Sequence, residues 1–192
     1  MSETGQDRQR SNSGSSRKMV PVKLLILGAQ NTGKTALCVR FITKRFIGEY
    51  DHKKEVTYRC NRVLDHEAVD VEILDLPCKE SCASSLESSI RWADGFLLLY
   101  SITQRLSFLE LPPLKTLIDK IKQNLVVPTV LVANKSDLEI GREVTTEEGQ
   151  KLAKDLRLVM DQQRPLPDRR SYMLTVRHAL TRKLTRSKTM QW

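Results

Sequence analysis

The segment GAQNTGKT, from Gly28 to Thr35, carries the clearest chemistry in the chain and matches the pattern G-x-x-x-x-G-K-[ST] in full. In this pattern main-chain N–H groups wrap phosphate oxygens, the lysine neutralises charge on the β- and γ-phosphates, and the hydroxyl binds Mg²⁺. Lys34 and Thr35 are predicted to fill the last two roles. The alternative is an ordinary glycine turn, which a position between a strand and a helix disfavours. The remaining predicted phosphate-site residues are Ala29, Gln30, Asn31, Thr32 and Gly33.

A second polar segment, NKSD, runs from Asn134 to Asp137 and follows the apolar stretch TVLVA. Ligands of open α/β sheets bind at the carboxyl ends of the strands. There the Asp137 carboxylate could accept from N1–H and from the exocyclic amine of guanine, two donors that adenine does not present. Taken alone the four residues would be a solvated turn. About a hundred residues after Lys34, they predict a guanine site.

Asp75 closes a third apolar stretch, AVDVEILDL, and Pro77, Cys78 and Lys79 follow close behind it. A carboxylate at a strand end is available for ligand or metal chemistry. The residue types around Asp75 do not by themselves assign that role.

Segments of strand and helix character alternate along the chain, and this alternation predicts an α/β fold with a mostly parallel sheet covered by helices on both faces. The predicted strands are VPVKLLILG, VTYRCNRVL, AVDVEILDL, GFLLLYSIT and PTVLVANK. The second and third are predicted to form a hairpin turning at Asp65-His66-Glu67. The predicted helices are TALCVRFITKRF, about Leu106 to Asn124, and TTEEGQKLAKDLRL with Thr145 as its cap.

With 192 residues, 40% of them apolar, the chain suits one domain with its own core. We expect it to be soluble, because no apolar run approaches the ~20 residues of a membrane helix. Four cysteines lack paired metal-ligand spacing, and no signal peptide precedes them, which favours reduced structural thiols in the cytosol. The predicted divisions are a disordered tail at 1–19, a folded domain at 20–158 and a basic tail at 159–192.

The net charge of +9 resides in the two tails, since residues 1–19 contribute +2 and residues 164–192 contribute +7. The segment between them is neutral, which disfavours a nucleic-acid-binding domain. Residues 171–188 place four apolar side chains on one helical face, and this pattern predicts a basic amphipathic helix. Such a helix could contact an anionic membrane or a calmodulin-like groove, although docking on the domain and disorder are alternatives. The four apolar residues are Met173, Val176, Leu180 and Leu184.

The two motifs and their spacing resemble those of the Ras superfamily of small GTPases, over residues 20–158 without a gap. FITKRFIGEYD and WADGFLLLYSIT are most similar to the Ras-like subgroup related to the oestrogen-regulated growth inhibitor, whose members lack a lipid anchor. The resemblance implies the P-loop NTPase fold, GTP or GDP with Mg²⁺ as ligands, and unidentified effectors or regulators. It also implies that Phe46 lies beside the guanine, Asp75 holds a Mg²⁺-bound water, Lys135 packs along the base and Asn134 fixes the loop.

The chain departs from the family pattern at positions that affect hydrolysis. Lys53 stands where the first switch carries a Mg²⁺-binding threonine, and an ammonium group cannot bind a cation. Cys78 and Lys79 replace the glycine and the water-orienting glutamine of the second switch, and Pro77 stiffens the turn. Gln30 occupies a position where glycine commonly admits a stimulating arginine. The departures predict slow GTP hydrolysis, with no residue identified that orients the attacking water.

The family's [ST]-A-[KL] loop and long closing helix are not found after NKSD. KLAKDLRL passes directly to VMDQQRPLPDRR, as if roughly two dozen residues were absent between Leu158 and Val159. A truncated or alternatively spliced form would explain this junction. We expect an incomplete C-terminal edge that lacks the last strand and most of the closing helix, with lower stability and lower GDP affinity.

Three functions stay open from the sequence. The first is a guanine-nucleotide-binding signalling protein with slow hydrolysis. The second is a degenerate, non-enzymatic protein that acts through its surface and basic tail, and the third is an ATP-using P-loop kinase, which the lack of an arginine-bearing lid disfavours. We expect a cytoplasmic location, with peripheral-membrane or nuclear contact through the tail. Lipid anchoring is not expected, because TMQW has no cysteine and Ser2 follows Met1.

Overall fold

A computed structural model describes residues 21–45, 55–64, 67–76, 83–123 and 127–162, with residues 64, 67, 83 and 159–162 described by their main chain alone. These residues form six strands and five helices. In chain order they are β1 Val22–Leu27, α1 Lys34–Thr43, β2 Val56–Leu64, β3 Glu67–Asp75, α2 Ala83–Trp92, β4 Gly95–Ser101, α3 Arg105–Leu109, α4 Leu111–Ile121, β5 Thr129–Asn134, α5 Thr146–Asp155 and β6 Val159–Gln162.

The six strands form one sheet in the order β2-β3-β1-β4-β5-β6. Every neighbouring pair is parallel except β2 with β3. The predicted mostly parallel α/β fold is therefore confirmed. Since β1, β3, β4 and β5 run in the same direction, their carboxyl ends meet at one edge of the sheet, where ligands bind in folds of this class.

Side chains of the central strands alternate between two apolar cores, one on each face of the sheet. Leu24, Leu97 and Val130 belong to the core under α1, whereas Leu25 and Leu98 belong to the opposite core. Among the described helices, α1 contributes to the first core and α2, α3, α4 and α5 contribute to the second or pack against it. Burial on both faces explains why β1, β4 and β5 are almost continuously apolar.

Strands β2 and β3 form the predicted antiparallel hairpin, whose closing pair is Leu64 with Glu67. Glu67 is the first residue of β3, so it belongs to the strand and lies outside the turn. On the exposed side, the Asn61 amide donates to Asp70 at 2.8 Å across the two strands. Such cross-strand pairs help to set the register of a hairpin.

The stretch predicted to be helical from about Leu106 to Asn124 forms two helices, α3 and α4, in its described part. Pro112 and Pro113 stand in the first turn of α4. Proline has no N–H and a fixed φ, so it is tolerated at a helix start and disrupts a helix interior. The two prolines therefore begin a second helix immediately after α3.

Helix α2 was not predicted from the sequence. Serine occupies much of it, and serine is a mediocre helix former whose hydroxyl competes with main-chain bonds. The helix is held by its packing, because Ile90 is fully buried in one core and the half-buried Leu86 and Trp92 pack against the same core.

Helix α5 begins at the predicted cap. The Thr145 hydroxyl accepts from the Glu148 N–H at 3.2 Å, and the Glu148 carboxylate accepts from the Thr145 N–H at 2.9 Å. This reciprocal capping box satisfies two main-chain donors at the helix start. At the other end Arg157 adopts a left-handed conformation, with φ of 54°, and the Leu158 N–H donates back to the Ala153 carbonyl at 2.7 Å.

The expectation that the last strand is missing is wrong. Val159 to Gln162 form β6, which pairs in parallel with β5 from Val130 to Ala133. The turn at Arg157 directs the chain back along the sheet, and strand pairing uses main-chain groups that every residue except proline supplies. The sheet therefore extends past the predicted domain end at residue 158. The expected loss of the closing helix concerns residues outside those described.

Within the described residues, no helix combines the length and apolar character that crossing a bilayer requires.

Candidate functional site

The GAQNTGKT segment forms the loop between β1 and α1, at the carboxyl edge of the sheet. Gly28 has φ of 150° and lies against β4, where an added Cβ would overlap the Leu99 carbonyl oxygen. Gly33 has φ of 93°, and a Cβ there would overlap the Asn134 side-chain nitrogen. Both positions thus require glycine, for conformation and for space. This close-packed loop before a helix is the predicted phosphate cradle.

The Lys34 side chain bends back across this loop. Its Nζ donates to the carbonyls of Gly28 and Ala29, both at 2.9 Å, and the residue is only 7% exposed. The ammonium group is therefore held at the mouth of the loop beside the first turn of α1. The positive end of the ten-residue helix lies at the same place. Together they form a site for an anion.

Thr35 and Asp75 lie together in the structure, although 40 residues separate them in sequence. The Thr35 hydroxyl donates to an Asp75 carboxylate oxygen at 2.6 Å. Ile26 of β1 is the register partner of Asp75 in β3, so the sheet itself places this carboxylate beside the loop. Asp75 is buried, with 5% exposure.

The Thr35 and Asp75 oxygens suit a small hard cation such as Mg²⁺. Mg²⁺ commonly binds one or two protein oxygens and takes its other ligands from water and substrate phosphates. Within the described residues no group of three or more His, Cys, Asp or Glu side chains could hold a metal ion. The donor set therefore fits a cation that is shared with a phosphate ligand.

Cys38 lies one helical turn after Lys34 and is 1% exposed. Burial raises the pKa of its thiol well above the ordinary value, the Asp75 charge raises it further, and Lys34 lowers it. The thiol therefore stays neutral at physiological pH. This environment fits the predicted structural role.

The NKSD segment leaves the end of β5 and is joined to the phosphate loop. The Asn134 amide donates to the Thr32 carbonyl at 2.7 Å, across 102 residues of sequence. Lys135 has φ of 62°, and the Leu138 N–H donates to its carbonyl at 2.9 Å, which makes a tight turn. Asp137 is exposed on this turn. The structure thus brings the two predicted motifs together through the contact between Asn134 and Thr32.

Sequence reasoning missed two residues that contact the segment after NKSD. The main chain of Ile102 is hydrogen-bonded to both ends of the segment from Asn134 to Val144. Arg105 donates hydrogen bonds to Glu143 and Glu148. The one sequence feature that could have indicated them is their position directly after β4, at the edge of the sheet where ligands bind. Neither residue belongs to a recognisable motif.

Comparison with known proteins agrees with this geometry. The Ras family model matches residues 23–161. The chain belongs to the Ras family. It is 50% identical to the human protein "Ras-related and estrogen-regulated growth inhibitor" over 139 residues, which cover 72% of this chain and 69% of that protein. The Bos taurus protein of the same name gives the same identity and coverage. A Danio rerio "Ras-like protein family member 11A-like" is 41% identical over 143 residues, 70% of this chain and 56% of that protein.

Several Ras-family positions singled out above lie outside the described residues. They are Phe46, Lys53, Pro77, Cys78 and Lys79, so their predicted roles stay predictions. Among the described residues, Gln30 is exposed on the phosphate loop. Membership of the Ras family supports a GTP-binding signalling protein, and Ras-family GTPases bind GTP or GDP with Mg²⁺.

Proposed function

We propose that this Ras-family protein binds GDP and GTP through the GAQNTGKT and NKSD loops and hydrolyses GTP slowly. The observation that supports this most strongly is the 2.7 Å hydrogen bond from the Asn134 amide to the Thr32 carbonyl. It joins a loop suited to phosphate and a loop suited to a purine base into one site. A phosphate loop without the second loop would not favour one nucleoside over another.

Phosphate binding rests on the loop between β1 and α1. Its main-chain N–H groups and the amino end of α1 favour negative charge, and Lys34 adds a full positive charge at the loop mouth. Bound Mg²⁺ would neutralise further charge on the phosphates. Thr35 and Asp75 are the residues that would hold it, the aspartate through water.

Base selection rests on Asp137. A carboxylate accepts hydrogen bonds and donates none, so it can pair with the N1–H and exocyclic amine of guanine. Bound adenine would bury the carboxylate without these partners, and a buried polar group left unpaired rejects an incorrect ligand strongly. We therefore expect GDP to be preferred over ADP.

Slow hydrolysis is proposed from the family positions that are altered in sequence. Lys53, Cys78 and Lys79 replace groups that bind Mg²⁺, contact the γ-phosphate or orient water in the family. Gln30 adds a bulky side chain at the phosphate loop. Where such groups are intact, a stimulating arginine alone contributes about 10³- to 10⁵-fold in rate. Lys79 could offset developing charge, but it cannot orient water in the way that a glutamine does.

The proposal is tested by displacing a fluorescent GDP analogue from purified full-length protein, with and without Mg²⁺, and by a single-turnover GTP assay. Displacement by GTP and not by ATP, with slow turnover, supports it. Displacement by ATP would favour the kinase. Absence of any nucleotide binding would favour the non-enzymatic interaction protein, and hydrolysis as fast as that of an unaltered family member would contradict the slow rate.

We also propose a cytoplasmic location and contact of the basic segment 171–188 with an acidic surface. The support is its sequence pattern of four apolar positions with interspersed arginines and lysines. Sedimentation with phosphatidylserine vesicles, compared with binding to calmodulin, separates a lipid surface from an acidic protein groove.

A further inference from the structure

The loop that carries Asp137 runs from Asn134 to Val144 and is largely exposed. Residues 137–141 are exposed, whereas Val144 at its end is fully buried. Within the loop, the Arg142 guanidinium pairs with the Glu139 carboxylate and donates to the Val144 carbonyl at 2.9 Å. An exposed loop holds a carboxylate in a fixed place only if both of its ends are anchored.

The first anchor is the main chain of Ile102, directly after β4. Its N–H donates to the Asn134 carbonyl at 3.1 Å, where the loop begins. Its carbonyl accepts from the N–H groups of Glu143 at 2.7 Å and Val144 at 3.1 Å, where the loop ends. One buried residue thus closes both ends of the loop.

The second anchor is Arg105, three residues later. Its Nη1 donates to the Glu143 carbonyl at 3.0 Å, and its own N–H donates to the Glu143 carboxylate at 2.6 Å. Its Nη1 and Nη2 also donate to the two carboxylate oxygens of Glu148, at 3.0 and 2.6 Å. The planar guanidinium therefore ties the returning end of the loop to the start of α3 in a fixed geometry.

Glu148 connects this contact to α5. The same carboxylate that pairs with Arg105 accepts from the Thr145 N–H in the capping box. The start of α3, the end of the loop and the start of α5 consequently form one hydrogen-bonded unit. At its other end the loop is tied to the phosphate loop through Asn134 and Thr32. Asp137 lies between these two attachments.

The ion pair between Arg105 and Glu148 is too exposed to contribute much to the stability of the fold. Their side chains are 45% and 34% exposed, and exposed ion pairs contribute little to the free energy of unfolding. The bidentate geometry of the pair and the hydrogen bonds from Arg105 to Glu143 of the loop indicate a role in positioning the loop. A displacement of about 1 Å in a positioned group can cost up to a hundredfold in function.

We propose that Arg105 is a positioning residue for guanine recognition, which holds the Asn134–Val144 loop so that Asp137 meets the N1–H and exocyclic amine of the base. This inference rests on the proposed function. Arg105 does not contact the nucleotide itself. Its effect should therefore be on the preference for guanine, beyond any uniform loss of binding.

The test compares GDP with inosine 5′-diphosphate, whose base lacks the exocyclic amine, for the full-length wild type and three variants. Arg105→Ala removes the anchor. Glu148→Gln removes the ionic partner but retains a side chain that can complete the capping box. Arg91→Ala is the matched control, because Arg91 pairs with Glu87 on α2 at similar exposure and has no contact with the loop.

For Arg105→Ala we expect GDP affinity to fall about tenfold, since a misplacement of about 1 Å can reduce function by up to a hundredfold. The GDP preference over inosine diphosphate should shrink in both loop variants and stay unchanged in Arg91→Ala. If Arg105→Ala does not fold, Glu148→Gln carries the test. Equal losses for both nucleotides, or no loss, would overturn the positioning role while leaving the proposed function intact. A wild type that binds no GDP would overturn both.

Discussion

Arg105 and Glu148 show how a pair of charged residues acts on a site that neither of them contacts. The hydrogen bonds from Arg105, together with the bond from the Thr145 N–H, lower the pKa of the Glu148 carboxyl from its ordinary value of 4.5 to about 2. Because the folded pKa lies below the unfolded value, the small contribution of the pair to stability is fully present above about pH 4.5. The stabilisation is lost as the pH falls towards 2, when the carboxyl group takes up a proton.

This pKa can be measured directly. An NMR titration of the Glu148 side-chain carboxyl carbon in the wild type should give a pKa of about 2. In Arg105→Ala it should rise towards the ordinary value, because the largest cause of the shift has been removed. The Arg91→Ala variant should leave it unchanged. A Glu148 pKa that is the same with and without Arg105 would show that the two side chains are not paired in solution.

Residue roles could be predicted where a motif fixes both residue type and spacing. Lys34, Thr35 and Asp137 were assigned in this way, and the structure places their loops together. Arg105 could not be assigned, because its partners lie 38 and 43 residues away and no local pattern links them. Contacts over such distances depend on how the strands are ordered, and one sequence does not state that order.

Among the elements, the junction of β1 with its glycine loop depends on close packing against β4. A Cβ at Gly28 would overlap a main-chain oxygen of Leu99, which cannot move without shifting the central strand. A Cβ at Gly95 would lie 3.1 Å from the Leu24 Cδ2 atom, at the end of a flexible side chain, and 3.3 Å from the Pro128 carbonyl oxygen. The two glycines therefore differ in how severe the overlap would be.

We predict that Gly28→Ala lowers the free energy of unfolding by about 3 kcal/mol, from overpacking and strain. Gly95→Ala, the control on the neighbouring strand, should cost about 1 kcal/mol, because its contacts are less severe. Urea denaturation followed by circular dichroism measures both. Equal losses would mean that the loop is not packed against β4 as described.

Hydrophobic patterns predicted most elements, and each error has a local physical cause. The division between α3 and α4 follows from two adjacent prolines, whose effect on a helix depends on whether they stand in its interior or its first turn. Helix α2 has a serine-rich sequence, and only its burial against the sheet stabilises it. Tertiary packing of this kind overrides local preference.

At the scale of the whole molecule, the sheet formed by the described residues extends to β6 and is longer than the sequence indicated. This strand was not predicted, because its sequence resembles a family tail. Pairing at a sheet edge depends on main-chain groups and on the turn at Arg157 more than on side chains. The pairing places Met160 opposite Leu131 and Asp161 opposite Val132. Among the strands that the structure describes, β6 is therefore the edge strand beside β5.

Proline substitutions test this edge. Successive N–H groups of a strand point alternately towards the neighbouring strand and away from it. Only one of Met160→Pro and Asp161→Pro should therefore break a ladder hydrogen bond and lower the melting temperature clearly, while the other should be tolerated as proline is on an edge strand. Equal effects of the two substitutions in thermal melts would indicate that these residues do not form a paired strand.

The central claim is that a main-chain loop with Lys34 at its mouth binds the phosphates of a guanine nucleotide. Isothermal titration calorimetry of GDP with Mg²⁺ tests it most directly, on the wild type, Lys34→Ala and Lys120→Ala, an exposed lysine of α4. We predict that Lys34→Ala weakens GDP binding about a hundredfold, because hydrogen bonds to charged groups contribute about 1.5–3 kcal/mol each. Lys120→Ala should bind as the wild type does. Unchanged GDP affinity in a folded Lys34→Ala variant would contradict the claim.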